Sequence, residues 1–155
     1  QKQDFGGHRL TLFTTPVEPM ARETVGVVFE NSIRLACSAI AWRNANILQL
    51  TLEWRSLQPC AKDYQVFVHV YDSAGNLIQQ ADHAPVGGFR PTSTWKPGEI
   101  VTDRIALELP RETARHYRLA VGLYDWLTGE RLAPFSESEG RVLLDGRVWL
   151  TVPTE

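Results

Sequence analysis

The chain has 155 residues, of which 43% are hydrophobic and 22% are charged, and its formal net charge is −2. A chain of this length buries roughly two thirds of the surface that it exposes when unfolded, so one domain needs neither a metal nor disulfides to hold it. The basic residues are scattered, which disfavours a nucleic-acid partner because such partners usually require a clustered positive surface. The sequence contains no run of eighteen apolar residues and therefore predicts no membrane-spanning helix.

The first twenty residues contain Pro16 and Pro19 and are predicted to form an arm or linker. The sequence begins with Gln1 rather than Met, and its start lacks the apolar core of a signal peptide. This beginning suggests a fragment or a processed chain. Residues 21–155 are predicted to form a single β-sandwich domain.

Apolar and polar residues alternate along much of the remaining chain. Short segments at 24–29 and 33–42 are predicted strands. In 46–57 every second residue is apolar, which is typical of a strand with one buried and one exposed face. The apolar set there is Leu48, Leu50, Leu52 and Trp54. Segment 64–72 is nearly all apolar or aromatic, which predicts a central strand covered on both faces.

Turn residues separate the strands of the second half. The segment 73–76 contains Gly and Asn and predicts a hairpin with a strand at 77–83. A loop rich in proline and glycine follows at 85–99. Further strands are predicted at 99–110, 116–126, 141–144 and 147–152. The pair Asp145-Gly146 predicts a hairpin between the last two strands, and residues 111–117 are compatible with one helical turn.

Eight or nine short strands with no helices between them predict an all-β fold. The expected architecture is an antiparallel β-sandwich, immunoglobulin-like or jelly-roll-like. The Cys, Trp, Cys spacing of antibody domains is absent, so the term immunoglobulin-like describes architecture only. Cys37 is predicted to be a buried thiol that acts as a small hydrophobic residue, and a disulfide between Cys37 and Cys60 remains an alternative.

Motifs for nucleophilic serine, phosphate binding and zinc hydrolysis are absent from the sequence. The four histidines, His8, His69, His83 and His116, stand alone in the chain, so no metal site or cofactor is predicted. Four carboxylates near aromatic residues keep a glycosidase open as a less favoured hypothesis, because that chemistry needs only two of them at the right separation. They are Asp82, Glu99, Asp103 and Asp125. Acidic residues at strand ends are also common for solubility alone.

The sequence contains five tryptophans, and their flat apolar rings suit the apolar faces of sugars. Trp54 is predicted to be core, and Trp42 and Trp149 core or half-buried. Trp95 falls in the predicted loop 85–99, and Trp126 lies at the end of the predicted strand 116–126, where the chain turns back. If Tyr124 and Trp126 share an outward face with His69 or Tyr71, they form an aromatic platform. The alternative for Trp95 is a plug over one end of the sandwich, and that interpretation is favoured. In the loop 85–99, backbone requirements explain neither Phe89 nor Arg90.

Several stretches resemble a known module. They are YQVFVHVYD at 64–72, PVGG at 85–88, PTSTWKPGE at 91–99, DRIALELP at 103–110 and YRLAVGLYDWLTGERL at 117–132. Together they resemble a β-sandwich module at the C-terminal end of large multi-pass bacterial membrane proteins. Many of those proteins are glycosyltransferases of the dolichyl-phosphate-mannose mannosyltransferase type. The similarity extends over residues 25–150 and is densest from 64 to 132.

The resemblance rests on particular residues. The matching positions are Pro91, Thr92, Trp95, Pro97, Gly98, Glu99, Asp103, Gly122, Leu123, Tyr124, Asp125, Thr128, Gly129 and Arg131. The sequence departs from the module at 30–32, where Glu-Asn-Ser replaces a Gly-Asp-Gly turn. The resemblance implies an extracytoplasmic position beside a membrane enzyme that handles lipid-linked sugars. Catalytic carboxylates of such transferases would lie in the membrane portion.

Three hypotheses for function follow. The first is a non-catalytic accessory domain of a larger cell-envelope membrane protein, resembling a glycosyltransferase, that contacts a glycan or lipid-linked sugar. Its predicted ligand-binding residues are Trp95, Trp126, Tyr124, Arg90 and Phe89, and its other partner is the membrane-embedded remainder of the parent chain. The second is an interaction or spacer domain without a ligand, and the third is a sandwich-fold glycosidase. The oligomeric state is left open.

Overall fold

The computed structural model describes residues 21–110 and 116–153. These residues contain ten strands: β1 Glu23–Phe29, β2 Ile33–Trp42, β3 Ile47–Ser56, β4 Tyr64–Tyr71, β5 Leu77–Gln80, β6 Ile100–Glu108, β7 Arg118–Asp125, β8 Pro134–Ser136, β9 Arg141–Val142 and β10 Val148–Thr151. Three short 3-10 helices lie in the connections, at Pro85–Gly88, Thr92–Thr94 and Leu144–Gly146. The predicted arm at 1–20 and most of the predicted turn at 111–117 lie outside the described residues.

The strands form two antiparallel sheets, which confirms the predicted β-sandwich. The larger sheet has six strands in the order β6-β3-β2-β1-β8-β9, and the smaller has four in the order β10-β7-β4-β5. The described residues hold one strand more than the eight or nine expected. The additional strand is β8, whose three residues pair with the end of β1. No helix in residues 21–110 and 116–153 has the length and apolar character needed to cross a bilayer.

The core between the sheets follows the predicted alternation. On β3 the four apolar residues of the alternating set are fully buried, and on β4 Val66, Val68 and Val70 face them from the other sheet. A β-bulge between Leu35 and Cys37 reverses the phase of β2, so that Ser38 is buried after Leu35. Both cysteines are free thiols in the structure. Burial raises the pKa of the Cys60 thiol.

One predicted hairpin is confirmed and another is wrong. β4 and β5 pair across 73–76 as expected, with the Asp72 carboxylate accepting backbone N–H groups of the turn. The turn at Asp145-Gly146 instead joins the two sheets, because β9 pairs with β8 and β10 pairs with β7. Both residues of β9 are exposed, whereas β10 buries Val148 and Leu150. Apolar burial therefore places β10 on the smaller sheet rather than beside β9.

Candidate functional site

The outer face of the four-stranded sheet carries an unusual set of aromatic side chains. Alternation buries the valines of β4 and turns the residues between them outward, and the same alternation on β7 and β10 turns Tyr124 and Trp149 outward. The resulting set, here called the aromatic layer, consists of Phe67, His69, Tyr71, Tyr124 and Trp149. The central strand β7 contributes only Ala120 and Gly122 to the middle of this face, so large rings from both sides have room to meet above it.

The rings of the aromatic layer contact one another in two groups. The ring centroids of Tyr71 and Trp149 are 5.4 Å apart, and the ring of Phe67 lies 5.0 Å from His69 and 6.5 Å from Tyr124. Phe67 and His69 are buried, while Tyr71 is half-buried and Trp149 is 40% exposed. The layer is therefore closed at Phe67 and open to solvent at Trp149.

Three arginines lie over the rings. The Arg118 guanidinium is 3.9 Å from the centre of the Trp149 ring, and that of Arg131 is 4.3 Å from the centre of Phe67. Arg147 lies farther off, 5.7 Å from Trp149 and 6.0 Å from Tyr71. Guanidinium groups favour the negative faces of aromatic rings, so these contacts give the layer a positive rim.

The closed end of the layer depends on a glycine. A Cβ built at Gly122 would lie 2.5 Å from a ring carbon of Phe67 and 2.5 Å from the carbonyl oxygen of Gly146. The 3-10 helix that contains Gly146 thus rests directly on the sheet, and Arg131 Nη1 donates to the Asp145 carbonyl at 2.9 Å. Glycine at 122 lets the ring and this backbone approach the strand closely.

A carboxylate lies beside the layer near β5. Asp82 Oδ1 is 3.5 Å from His69 Nε2, and its carboxylate also interacts with the Tyr124 hydroxyl. Burial lowers the pKa of His69 even though the Asp82 carboxylate opposes that shift. Burial together with Asp82 raises the pKa of Tyr124. His69 is therefore held as a neutral ring in near-neutral solution.

A groove of about 620 Å³ opens beside β10, where the larger sheet extends beyond the smaller one. Its walls come from β1, β2, the β8–β9 hairpin and β10. Trp149 and Arg147 belong both to this groove and to the rim of the aromatic layer. A concave site with aromatic lining and a few polar groups is the usual form of a ligand site. The two features meet at Trp149.

The structure separates the five predicted binding residues. Tyr124 belongs to the aromatic layer, whereas Trp126 lies beyond the end of β7 in the next turn and is 63% exposed. Phe89 is 87% exposed in the loop before β6. Arg90, in the same loop, forms an ion pair with Glu99. Trp95 is only 3% exposed, and its indole Nε1 donates to the Arg90 carbonyl at 2.9 Å, as the plug interpretation expects.

The loop between β5 and β6 is held by an ion pair between the half-buried His83 and the buried Asp103. His83 Nε2 lies 2.6 Å from Asp103 Oδ2, and the other Asp103 oxygen accepts the Val86 N–H at 3.0 Å. Val86 has a φ of 54°, which is strained for a β-branched residue. Farther along, the buried Thr92 hydroxyl donates to the Lys62 carbonyl at 2.7 Å. These bonds explain why a long connection keeps one conformation.

The four carboxylates considered for hydrolysis each lie beside a basic side chain. Asp103 pairs with His83, Glu99 with Arg90 and Asp125 with Lys62, whereas Asp82 lies 3.5 Å from the neutral His69 ring. The hydrogen bond from Lys62 is the main cause of the lowered pKa of Asp125. Among residues 21–110 and 116–153, no three histidine, cysteine or acidic side chains converge as metal ligands would.

Sequence reasoning missed Trp149, Arg118 and Arg147 as members of a candidate site. The signal for Trp149 was present, because burial of Val148 and Leu150 requires the residue between them to face outward. Arg147 could not be placed from sequence, since the expected hairpin paired its strand, 147–152, with 141–144 rather than with β7. The position of an arginine over a particular ring depends on the conformation of its side chain. The alternation of apolar and polar residues gives no information about that conformation.

The ion pair of His83 predicts a pH-dependent stability. Burial disfavours the charged imidazole, but the hydrogen bond and the charge of Asp103 outweigh burial and raise the pKa of His83. The stabilisation is therefore complete below the unfolded value of about 6.5 and is lost as pH rises through the folded pKa. The difference in free energy of unfolding between the natural chain and His83→Asn, from urea titrations, should shrink as pH rises above about 6.5.

The matched control is His69→Asn. The folded pKa of His69 is lowered, so its contribution has the opposite sign: it grows as pH rises from the folded pKa towards about 6.5 and stays constant above that value. A His83→Asn difference that stays constant with pH would contradict the ion-pair assignment.

No protein-family model matches the chain, and no curated protein matches it. Solved structures do show similarity. A β-glucuronidase from Bacteroides uniformis is 14% identical with a TM-score of 0.47, covering 82% of this chain and 13% of that chain. Bacteroides uniformis β-glucuronidase 2, covalently bound to cyclophellitol-6-carboxylate aziridine, is 15% identical with a TM-score of 0.45, covering 76% and 12%.

A β-glucuronidase from glycoside hydrolase family 2 is 9% identical with a TM-score of 0.45, covering 73% of this chain and 11% of that chain. The chain thus spans between 11% and 13% of the length of these three enzymes. At such identities and TM-scores the likeness transfers no activity, substrate or site residue to this chain. The assignment to the all-β sandwich class rests on the two sheets themselves.

Proposed function

We propose that the chain is a non-catalytic accessory β-sandwich domain that contacts carbohydrate through its aromatic layer. The observation that carries this proposal is the pair of adjoining rings, Tyr71 and Trp149, of which Trp149 also lines the groove beside β10. Tryptophan and tyrosine rings offer flat apolar faces with a polar edge, which suits the C–H faces of pyranose sugars. The contact is therefore centred on Trp149 rather than on the buried Trp95.

The domain is proposed to work in the cell envelope, outside the cytoplasm, as the soluble part of a membrane protein that resembles a glycosyltransferase. Support comes from the loop motif at 91–99 and the GLYD and TGER motifs at 122–131, which match the module found on such proteins. Its partners are then a glycan or lipid-linked sugar and the membrane-embedded remainder of the parent chain.

A binding role is favoured over hydrolysis because two of the four candidate carboxylates hold parts of the fold in place. Asp103 is buried and holds the β5–β6 loop, and Asp125 accepts the Leu127 N–H while pairing with Lys62. A hydrolase instead needs two carboxylates that flank the bond to be cleaved. The second candidate function is a spacer domain without a ligand, in which the Tyr71–Trp149 pair and Arg118 only stabilise the sheet.

Trp149→Ala is expected to weaken glycan binding about tenfold or more, because it removes the exposed ring of the site. Binding is measured by isothermal titration against a panel of cellulose-, xylan-, chitin- and mannan-type oligosaccharides and acidic oligosaccharides. Trp126→Ala is the matched control, since Trp126 is an exposed tryptophan outside the aromatic layer, and it should bind as the natural chain does.

Thermal unfolding of both variants shows whether a loss of binding reflects a loss of structure. If no saccharide in the panel binds the natural chain, or if Trp126→Ala loses binding and Trp149→Ala keeps it, the proposed site is wrong. The first of these results would favour the spacer.

A further inference from the structure

We infer that the aromatic layer takes an acidic saccharide, whose carboxylate is held by Arg118 and Arg147 beside the exposed Trp149 ring. This inference rests on the proposed function, because it names the class of sugar that the same site binds. Three observations carry it: the position of Arg118, the weak engagement of Arg147, and the distribution of charge over the sheet.

Arg118 lies at the exposed end of the layer and has no acidic partner among residues 21–110 and 116–153. Its guanidinium is 3.9 Å from the Trp149 ring centre, and the residue is exposed. Within the part of the chain that the structure describes, no carboxylate lies in ion-pair distance of it. A guanidinium that rests on a ring is held in place while its N–H donors remain available to an anion.

Arg147 approaches the same ring from the chain segment that enters β10. Its nearest acid is Asp145, with an N···O distance of 3.8 Å, and the Asp145 side chain is 70% exposed. An exposed pair at that distance contributes little and is readily exchanged for a better partner. Arg147 Nε has no hydrogen-bond partner among the described residues, but it is buried, so the donors left for a ligand are those of the terminal nitrogens. The donor capacity of this guanidinium is therefore only partly used by the protein.

Charge is distributed unevenly over this face. The acids next to the layer are Asp82, which lies against His69 on the β5 side, and Asp145. In the groove, Glu139 is paired with Arg141 at 2.7 Å, and Glu23 lines the wall formed by β1. The β10 side of the layer is thus positive, although the whole chain has a net charge of −2. Such a local field favours an anionic ligand.

The combination of a ring and flanking guanidiniums matches a carboxylate that is bonded directly to a sugar ring. When a pyranose unit lies on Trp149, its carboxylate is close enough for the side chain of Arg118 or Arg147 to contact it. The planar guanidinium group can then pair with the carboxylate through two parallel hydrogen bonds. A phosphate on a lipid-linked sugar would also attract arginine. However, it is joined to the sugar through an oxygen and so lies farther from the pyranose ring that contacts Trp149. A neutral sugar would use neither charge. We therefore assign an acidic sugar rather than a sugar phosphate.

The test compares each acidic oligosaccharide with its own methyl ester, which has the same backbone without the charge. Oligogalacturonate, alginate-type and hyaluronan-type oligosaccharides serve as probes, and a hexose 1-phosphate serves as the phosphate probe. At least one acid should bind about tenfold more tightly than its ester, the gain expected from charge-assisted hydrogen bonds. That preference should weaken as salt increases.

Arg118→Gln and Arg147→Gln should each weaken binding of the acid more than binding of its ester, so that most of the preference for the acid is lost. Arg104→Gln is the matched control, because it removes the same charge from an exposed position on the other sheet. Equal binding of every acid and its ester, or tighter binding of the hexose phosphate than of any acid, would overturn the inference. Neutral oligosaccharides would then still test the proposed function, which falls only if no saccharide requires Trp149.

Discussion

Replacing Trp95 with alanine is expected to lower the free energy of unfolding by about 3–5 kcal/mol, measured by urea titration. The ring is part of the hydrophobic core with only 3% of its surface exposed, so its removal leaves a large cavity. The indole N–H also ties the loop to itself through the Arg90 carbonyl. Truncation therefore removes both apolar burial and the bond that fixes the path of the loop.

Trp126→Ala again serves as the control, because Trp126 is 63% exposed in a turn and should change stability by no more than about 0.5 kcal/mol. The plug interpretation is contradicted if Trp95→Ala is as stable as Trp126→Ala. A stable Trp95→Ala variant with reduced glycan binding would return Trp95 to the ligand site.

Gly122→Ala is expected to cost about 3 kcal/mol or to prevent folding, again by urea titration. The added Cβ meets the Phe67 ring on one side and the Gly146 carbonyl on the other, both at 2.5 Å. A shift of the strand that relieves one of these two clashes does not relieve the other. The Phe67 ring is packed under Arg131, and the Gly146 carbonyl belongs to backbone that rests on the sheet. The 3-10 helix before β10 must move outward, which would also displace Arg147.

Gly75→Ala separates the steric effect from the general cost of replacing glycine. Gly75 has a φ of 86° with open space around its Cβ position, so only the backbone preference is lost, at about 1 kcal/mol. If the two variants lose the same stability, the close approach of the 3-10 helix to β7 is not a feature of the folded protein.

Periodicity predicted the strands well because one face of each long strand is buried. Leu48 to Trp54 on β3 alternate without interruption, and the all-apolar β4 is covered on both faces as its sequence indicated. The short strand β8 was missed because its three residues begin with a proline and are too few to show an alternating pattern.

In the β1–β2 turn, Glu30 and Asn31 adopt φ values of 47° and 60°. That conformation is natural for the Gly-Asp-Gly turn of the resembling module.

The candidate site was predicted only in part, and the reason is topological. Tyr124 was expected on an outward face with His69 or Tyr71, and the register of β4 with β7 places all three on that face. Trp126 leaves the face because β7 ends at Asp125, where the chain turns. Trp149 joins the face because β10 lies next to β7, a pairing between distant segments that no local pattern specifies.

The five tryptophans provide the most direct test of carbohydrate contact at the aromatic layer. In a two-dimensional NMR spectrum each indole N–H gives its own signal, which can be assigned by single substitution and followed as saccharide is added. We expect the Trp149 signal to move with the binding curve while those of the buried Trp54 and Trp95 stay in place. A signal from Trp126 that moves while Trp149 remains unchanged would contradict this expectation.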